Sequence, residues 1–421
     1  MELSYNLRYQ KFSFSNRVMV DKEGEIIVYD KGFRLKGKGA TDKGELISFS
    51  DLKEFYFKDE KIFFITFNKE KYILSDASGM FEQMLRDLYR ARNEFLTDAL
   101  FMKVGKIKAE FEGAFERISK FAKPISKGKA KIKIYERSLV IVPPNQDAFS
   151  INFSFVNFYE FEDDEYNVKI VLDDGQILNI SQLGDDFELF QEKMDEILGG
   201  LYQSVVSDVL RECFGYFDLS TLLKMAYKIK GGKTISKKEL IKIDKELYQA
   251  VYDFIFDNED FKQKFEYLLS NADDLNIRFG IAKDFAQAKG FIRWVMVSVP
   301  EKNVVAFSIL PRWENAAQGG ESAKRKDETF FYKIIMEKGN ALEKTEDKIR
   351  EIEQALLSLN FAKDPCYKDK RELKYSPFQY AIRKMPFLRI LRKSFSGMAA
   401  SEDIQTWKEQ ADKILNESVI K

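Results

Sequence analysis

Apolar and polar positions alternate over short runs in the first half of the chain. Glu25-Ile-Ile-Val-Tyr29 and Gly32-Phe-Arg-Leu-Lys36 pair around Asp30-Lys31. Glu45-Leu-Ile-Ser48, Lys53-Glu-Phe-Tyr-Phe57, Lys61-Ile-Phe-Phe-Ile-Thr-Phe67 and Lys71-Tyr-Ile-Leu74 follow. Runs this short, rich in β-branched and aromatic residues and separated by turn signals, predict a sandwich or barrel of strands. The period then changes: Phe81, Met84, Leu85, Leu88 and Tyr89 recur at three- and four-residue spacing, which predicts a helix with one apolar face.

The same order returns about a hundred residues later. A strand near Ile107–Phe115 precedes Lys131-Ile-Lys-Ile-Tyr135, Ser138-Leu-Val-Ile-Val142, Phe149-Ser-Ile151, Val156-Asn-Phe-Tyr-Glu-Phe161, Val168-Lys-Ile-Val-Leu172 and Ile177-Leu-Asn-Ile180. Asp174-Gly175 is a two-residue hairpin signal. The closing helix begins near Asp185-Asp186, acids suited to a helix N-terminus, and its face is Phe187, Phe190, Met194, Ile197, Leu198 and Leu201. Ile47-Ser-Phe-Ser50 answers Ile151-Asn-Phe-Ser154, and the helix starts Phe81-Glu82 and Phe187-Glu188 answer one another. Strands closed by one helix, in tandem, resemble pleckstrin-homology-like (PH-like) domains, including the bacterial versions and the double-PH module of the FACT histone chaperone. The resemblance covers roughly residues 1–210. It implies recognition of peptides, proteins or phosphorylated head groups, without catalysis.

Beyond Leu210 the pattern is helical, with stripes at Leu222, Leu223, Ala226 and Tyr227 and at Leu247, Val251, Phe254 and Ile255. Trp294–Val299 and Val304–Ile309 then read as a hairpin around Pro300–Asn303, with a third strand at Thr329–Ile335. The polar stretch between the last two, 314–328, contains Gly319-Gly320 and reads as a flexible, protease-sensitive loop. Leu342–Leu357, a basic stretch at 374–396 and Asp403–Leu415 read as helices. The expected architecture is α+β. Two PH-like barrel or sandwich domains, 1–103 and 104–210, precede a region at 211–421 with helices, a three-stranded antiparallel sheet and a helical C-terminus.

Composition narrows the chemistry. A chain of 421 residues exceeds what one core usually organises. It holds no histidine, which removes Ser-His-Asp and Cys-His machinery, His metal ligands and any unperturbed group titrating near neutrality. Cys213 and Cys366 are far apart and in no ligand spacing, so a reducing compartment fits best. The start, Met1-Glu2-Leu3-Ser4, lacks the basic-then-apolar order of a signal peptide, and no window is apolar enough for a spanning helix. The expected location is the cytoplasm. The formal net charge of +0 hides segregation: Lys103–Arg137 is strongly basic and Asp147–Asp208 strongly acidic.

Four motifs carry candidate chemistry. Gly232-Lys233-Thr234 suggests a phosphate loop, but Tyr227 stands where the first glycine is required, and Ser236-Lys-Lys-Glu239 reads as a capping box. Glu160, Glu162, Asp163, Asp164 and Glu165 carry ligand chemistry for a hard cation but match no metal-loop spacing, and read as a solvated turn or a face for a basic partner. Lys120, Lys123, Lys127, Lys129, Lys131 and Lys133 fall where a PH-like resemblance places head-group-binding lysines, so the first five are candidate anion ligands. The plainer reading is a strand's solvent face, because Lys129, Lys131 and Lys133 alternate with Ala130, Ile132 and Ile134. Past the Ser376-Pro377 helix start, Arg383, Lys384, Arg389, Arg392 and Lys393 form a basic face on an amphipathic run broken at Pro386, suited to a membrane or a partner groove, or to packing with a wet back.

The reading that these features favour is a non-enzymatic binding or scaffold protein with an unknown protein partner and no cofactor, metal or nucleic acid. A peripheral membrane or anionic-ligand adaptor is the alternative, through anionic lipid or a phosphorylated ligand. A hydrolase with a carboxylate or lysine centre in the C-terminal region is a second, since acids suffice for some reactions.

Overall fold

A computed structural model describes residues 3–39, 42–77, 79–162, 164, 166–270, 272, 277–284, 290–309, 328–333, 349–350, 352–353, 355–356 and 378–417. The class is α+β. The 314–327 part of the expected flexible loop and most of the expected helix at 342–357 lie outside the described residues. Two compact units divide the chain, one running to Ile197 and including the distant helix Phe378–Lys384, the other taking the rest from Leu198.

In the first unit, strands β1 (Leu3–Phe12), β2 (Val18–Tyr29), β3 (Gly32–Gly37), β4 (Glu45–Ser48), β5 (Leu52–Lys58), β6 (Lys61–Thr66) and β7 (Lys71–Ser75) form one antiparallel sheet in the order β4-β3-β2-β1-β7-β6-β5. Strands β8 (Ile107–Ile118), β9 (Pro124–Tyr135), β10 (Ser138–Val142), β11 (Phe149–Asn152), β12 (Val156–Glu162), β13 (Asn167–Leu172) and β14 (Ile177–Ser181) form a second. Its order, β11-β10-β9-β8-β14-β13-β12, is the first one repeated. Strand β1 was not anticipated, although Tyr5, Leu7 and Tyr9 alternate inward along it.

Each sheet must curl. Its two edge strands are neighbours in sequence, β4 with β5 and β11 with β12, joined only by the 3-10 turns Phe49–Asp51 and Phe153–Phe155. Seven strands laid flat would separate those edges by about 29 Å, whereas so short a link spans at most about 15 Å. The repeated Ile-x-Phe-Ser step is this corner. Ile47, Phe49, Ile151 and Phe153 are buried, and the Phe49 and Phe153 amides donate to the Lys31 and Arg137 carbonyls at 3.0 Å. The Ser50 amide donates to the Ser48 hydroxyl at 3.2 Å, and the Ser154 amide to Asn152 Oδ1 at 2.9 Å.

Helix α1 (Phe81–Ala99) closes the first sheet through Met84, Leu85, Leu88 and Tyr89. Helix α2 (Phe187–Val205) buries Phe187, Phe190 and Met194, with Phe190 edge-on to Phe111 of β8 at 5.2 Å. Beyond its apolar face, α1 carries a second buried set directed at the other sheet. Arg92 makes a bidentate ion pair with Asp147 (2.6 and 2.7 Å). Asn93 donates to the Pro143 and Gln146 carbonyls (2.8 and 3.0 Å) and accepts from the Ala148 amide (2.8 Å). One helical turn thus grips the whole β10–β11 loop. The connector below it is tied as well, since Ser138 Oγ donates to the Met102 carbonyl and accepts from the Val104 amide.

In the second unit, α3 (Arg211–Phe214) and α4 (Leu219–Ile229), and after the first strand α5 (Lys237–Ile243), α6 (Lys245–Ile255) and α7 (Glu259–Leu269), pack on a six-stranded antiparallel sheet, whose order is β15-β16-β17-β18-β19-β20. The strands are β15 (Ile235–Ser236), β16 (Arg278–Asp284), β17 (Gly290–Val299), β18 (Val304–Ile309), β19 (Glu328–Lys333) and β20 (Phe395–Ala400). The expected three strands are its centre. The three missed ones are short or rich in small residues: β16 contains Gly280, whose missing side chain makes room for the Trp294 ring, and β20 reads Phe-Ser-Gly-Met-Ala-Ala. The expected stripe on α4 splits. Leu222 and Ala226 are buried with Met225 and Ile229, while Leu223 and Tyr227 face solvent. No helix among the described residues is long and apolar enough to cross a membrane.

The Arg92–Asp147 pair yields an asymmetric expectation. The Arg92 side chain is fully buried, whereas that of Asp147 is 42% exposed. Asp147→Asn strands a buried cation and should cost about 3 kcal/mol in urea unfolding of the full chain. Arg92→Met removes the cation and leaves a hydrated carboxylate, so about 1 kcal/mol is expected. Equal losses would show that the pair is not the element fixing this loop.

Candidate functional site

The docking of α1 on the β10–β11 loop leaves an open groove of about 760 Å³ in the first unit. Its walls follow from periodicity. On α1, Gln83, Arg86, Asp87, Arg90, Asn93, Glu94 and Thr97 fall on one side of the helix. On β9, alternation turns Lys129, Lys131 and Lys133 outward while Ile132 and Ile134 are buried in the sheet. Val142, Pro143 and Pro144 at the end of β10, with Tyr135, supply the apolar surface. Six cations (Arg86, Arg90, Lys103, Lys129, Lys131 and Lys133) line the groove against Asp87, Glu94 and Glu112.

Several of these charges are already held. Lys133 pairs with Glu110 across the β8–β9 ladder at 2.9 Å, Lys131 stands 4.0 Å from Glu112, Arg90 pairs with Asp87 at 2.8 Å and Lys103 with Asp98 at 2.6 Å. Asp87 also accepts from the Tyr5 hydroxyl; burial first, and then this carboxylate, push Tyr5 up to about 12. Lys129 sits opposite Ala114 in the ladder, and Arg86 reaches only Gln83. Among the described residues, neither Lys129 nor Arg86 has a carboxylate within 4.0 Å.

The sequence-derived lysines therefore separate. Lys129 and Lys131 line the groove, together with Lys133. Lys127 lies further along β9, opposite Glu116, and Lys120 and Lys123 occupy the turn at the far end of the β8–β9 arm, where Lys120 covers the Phe121 ring at 5.3 Å. Arg86, Arg90 and the gripping pair Arg92 and Asn93 were not anticipated. The available signal was the basic i, i+4 spacing of Arg86 and Arg90 on the polar side of α1.

The basic run near the C-terminus is likewise divided. In α8 (Phe378–Lys384), Tyr380 is buried with Leu96, Met102, Tyr135, Val140 and Ala148, and the Arg383 guanidinium lies 4.8 Å from the centre of the Phe67 ring. Lys384 donates to the Lys53 carbonyl. In α9 (Pro386–Ser394), which belongs to the second unit, Leu388 and Leu391 are buried, and Arg389, Arg392 and Lys393 are exposed. Two of the five residues dock on the first unit, and three are exposed on a helix of the second whose Leu388 and Leu391 are buried.

The groups of the glycine-lysine-threonine step are engaged elsewhere. The Thr234 amide and hydroxyl both donate to the buried Glu353, and Arg278 donates to the Thr234 hydroxyl at 2.8 Å and carbonyl at 3.1 Å. The capping box of Ser236 and Glu239 is present. Burial opposes ionisation of Glu239, but the Ser236 amide, Lys228 and Arg278 outweigh it and hold the group at about 2. Burial pushes the Cys213 thiol up to about 12, which suits a packed thiol and not a nucleophile. Among the described residues no cluster of three or more acids or cysteines is placed to hold a metal.

No protein-family model matches this chain, and no curated protein matches it. Among solved structures, the Spt16D–Pob3N heterodimer is similar at 11% identity, over 42% of this chain and 94% of that one, with a TM-score of 0.16. A likeness at that score carries no argument about function.

Lys384 gives this surface a pH signature. Burial, and then the Arg92 charge, lower it from its ordinary 10.5 to about 8. Between these values the unfolded chain holds a proton that the folded chain lacks, so the contribution of this group should rise with pH across that window and be flat below it. Cys213 and Tyr5, raised in the folded chain, pull the other way near the top of the window, so in thermal melts from pH 7 to 10.5 the readout is the difference: the wild type should gain on Lys384→Met from about pH 8 upward. Parallel curves would refute the assignment.

Proposed function

We propose that this chain is a non-enzymatic, cytoplasmic binding or scaffold protein. Two PH-like modules, 1–103 and 104–210, supply its recognition surface, and the α+β region 211–421, apart from the helix Phe378–Lys384 that docks on the first unit, forms a separate part of the scaffold. The observation that carries this reading is the grip of Arg92 and Asn93 on the 143–148 loop. It spends the buried polar groups of α1 on fixing one sheet against the other, and leaves a solvent-open cationic groove at the junction. Groups engaged in this way by structural partners serve positioning.

Supporting the absence of catalysis, the reactive-looking residues are engaged in structural roles: Thr234 with Glu353 and Arg278, Glu239 in a helix cap, and Cys213 as a buried thiol. The burial of Leu388 and Leu391 on α9 weakens the membrane alternative, because insertion requires such residues to be free.

The test is capture. The full chain, used as bait in extract of its native cell with cross-linking, should retain a defined protein, and Asp147→Asn should lose it by loosening the two modules. Flotation with anionic vesicles, without protein retention, would instead establish the adaptor reading. Retention of nothing by either route would refute both.

A further inference from the structure

We propose that the groove between α1 and β9 binds an extended acidic peptide segment of a partner protein; this rests on the binding-protein reading above and names the ligand class. The argument is one of repeat distance. Lys129, Lys131 and Lys133 occupy alternate positions of one strand, so their attachment points repeat at about 6.7 Å. Same-side residues of an extended peptide repeat at that distance too. On the opposite wall Arg86 and Arg90 are one helical turn apart, with Cβ atoms separated by about 6 Å. A peptide lying along the groove turns successive side chains to opposite sides, so alternate carboxylates meet the lysine row and the intervening ones meet the arginines.

A compact anion would need cations converging on one point, and here they are drawn out in two rows. Charge complementarity fits a polyanion of spaced charges. Lys129 and Arg86, which have no carboxylate within 4.0 Å among the described residues, supply positive potential free for a ligand. The groove's own Asp87, Glu94 and Glu112 discriminate between polyanions. They repel a continuous phosphate backbone, whereas peptide N–H groups donate to them. Single-stranded nucleic acid also takes much of its affinity from aromatic platforms. Among the lining residues Tyr135 is the one aromatic, and it is buried. Val142, Pro143 and Pro144 offer apolar contact that suits a peptide's aliphatic stems.

The experiment is fluorescence anisotropy of a labelled ten-residue oligoglutamate with the full chain at low salt. Binding is expected and should weaken steeply as salt rises, because exposed charges are screened. Arg86→Gln with Lys129→Gln should weaken it at least tenfold at an unchanged melting temperature. Lys123→Gln with Lys127→Gln, on the arm beyond the groove, should change it less than twofold. Equal loss in both double variants would assign the binding to diffuse charge and overturn the inference. Tighter binding of oligothymidylate, or displacement of the peptide by equimolar inositol hexakisphosphate, would overturn it in favour of a nucleic acid or a compact anion. No oligoglutamate binding while the bait still retains a partner would sink this inference alone. Loss of both would sink the binding-protein reading with it.

Discussion

The contact on which the first unit depends is the grip of one turn of α1 on the β10–β11 loop. Most of its polar groups are committed: Asn93 uses both amide ends, and Arg92 two of its three nitrogens on Asp147. Its remaining nitrogen, Nη1, is buried without a hydrogen-bond partner among the described residues, although the guanidinium lies 5.1 Å from the Phe55 ring. That is an expensive way to gain stability, since desolvating an ion pair commonly cancels its attraction. Apolar residues of the same size would pack as well but would permit the two sheets to slide. The polar grip accepts one geometry. The groove depends on that geometry, because one of its walls belongs to the helix and the other to the second sheet.

Much of the first unit was legible because a curled sheet imposes alternation strand by strand and because the chain repeats it. The repeated Ile-x-Phe-Ser step was visible as a pattern, yet its meaning was not. Only the strand order shows that it is the corner where the two edges of a curled sheet meet. Strand β1 carries the same alternation, Tyr5, Leu7 and Tyr9 against Asn6, Arg8 and Gln10, but no tight two-residue turn beside it announces a hairpin. In the second unit, β20 begins at the last two residues of the basic stretch 374–396 read as helix and runs into a segment given no element. Its Gly397 and paired alanines carry almost no β signal, and the ladder with β19 sets their conformation.

The candidate site was half legible. Lys129 and Lys131 could be found from charge density alone, but charge density could not separate them from Lys120, Lys123 and Lys127. What separates them is a neighbour distant in sequence. The same applies to Arg86 and Arg90, which on an isolated helix are ordinary solvent-facing residues and become a wall only when α1 is gripped. Residues whose role is conferred by tertiary neighbours leave no local periodic trace, so alternation and helical spacing locate the elements but not the surface made between them.

The two copies differ at the positions that matter most. Counting from the helix starts at Phe81 and Phe187, Arg92 and Asn93 stand opposite Leu198 and Gly199. The shared residues, the corner and the apolar helix face, are those any such unit needs to fold by itself. The grip is absent from the second copy, whose helix continues directly into further helical segments through Leu210. A duplicated fold thus supplies two equivalent cores, and a pair of polar substitutions in one helix turns adjacency into a fixed arrangement. The groove follows from that asymmetry: it could not form in either copy alone, and it would not persist if the copies were merely tethered.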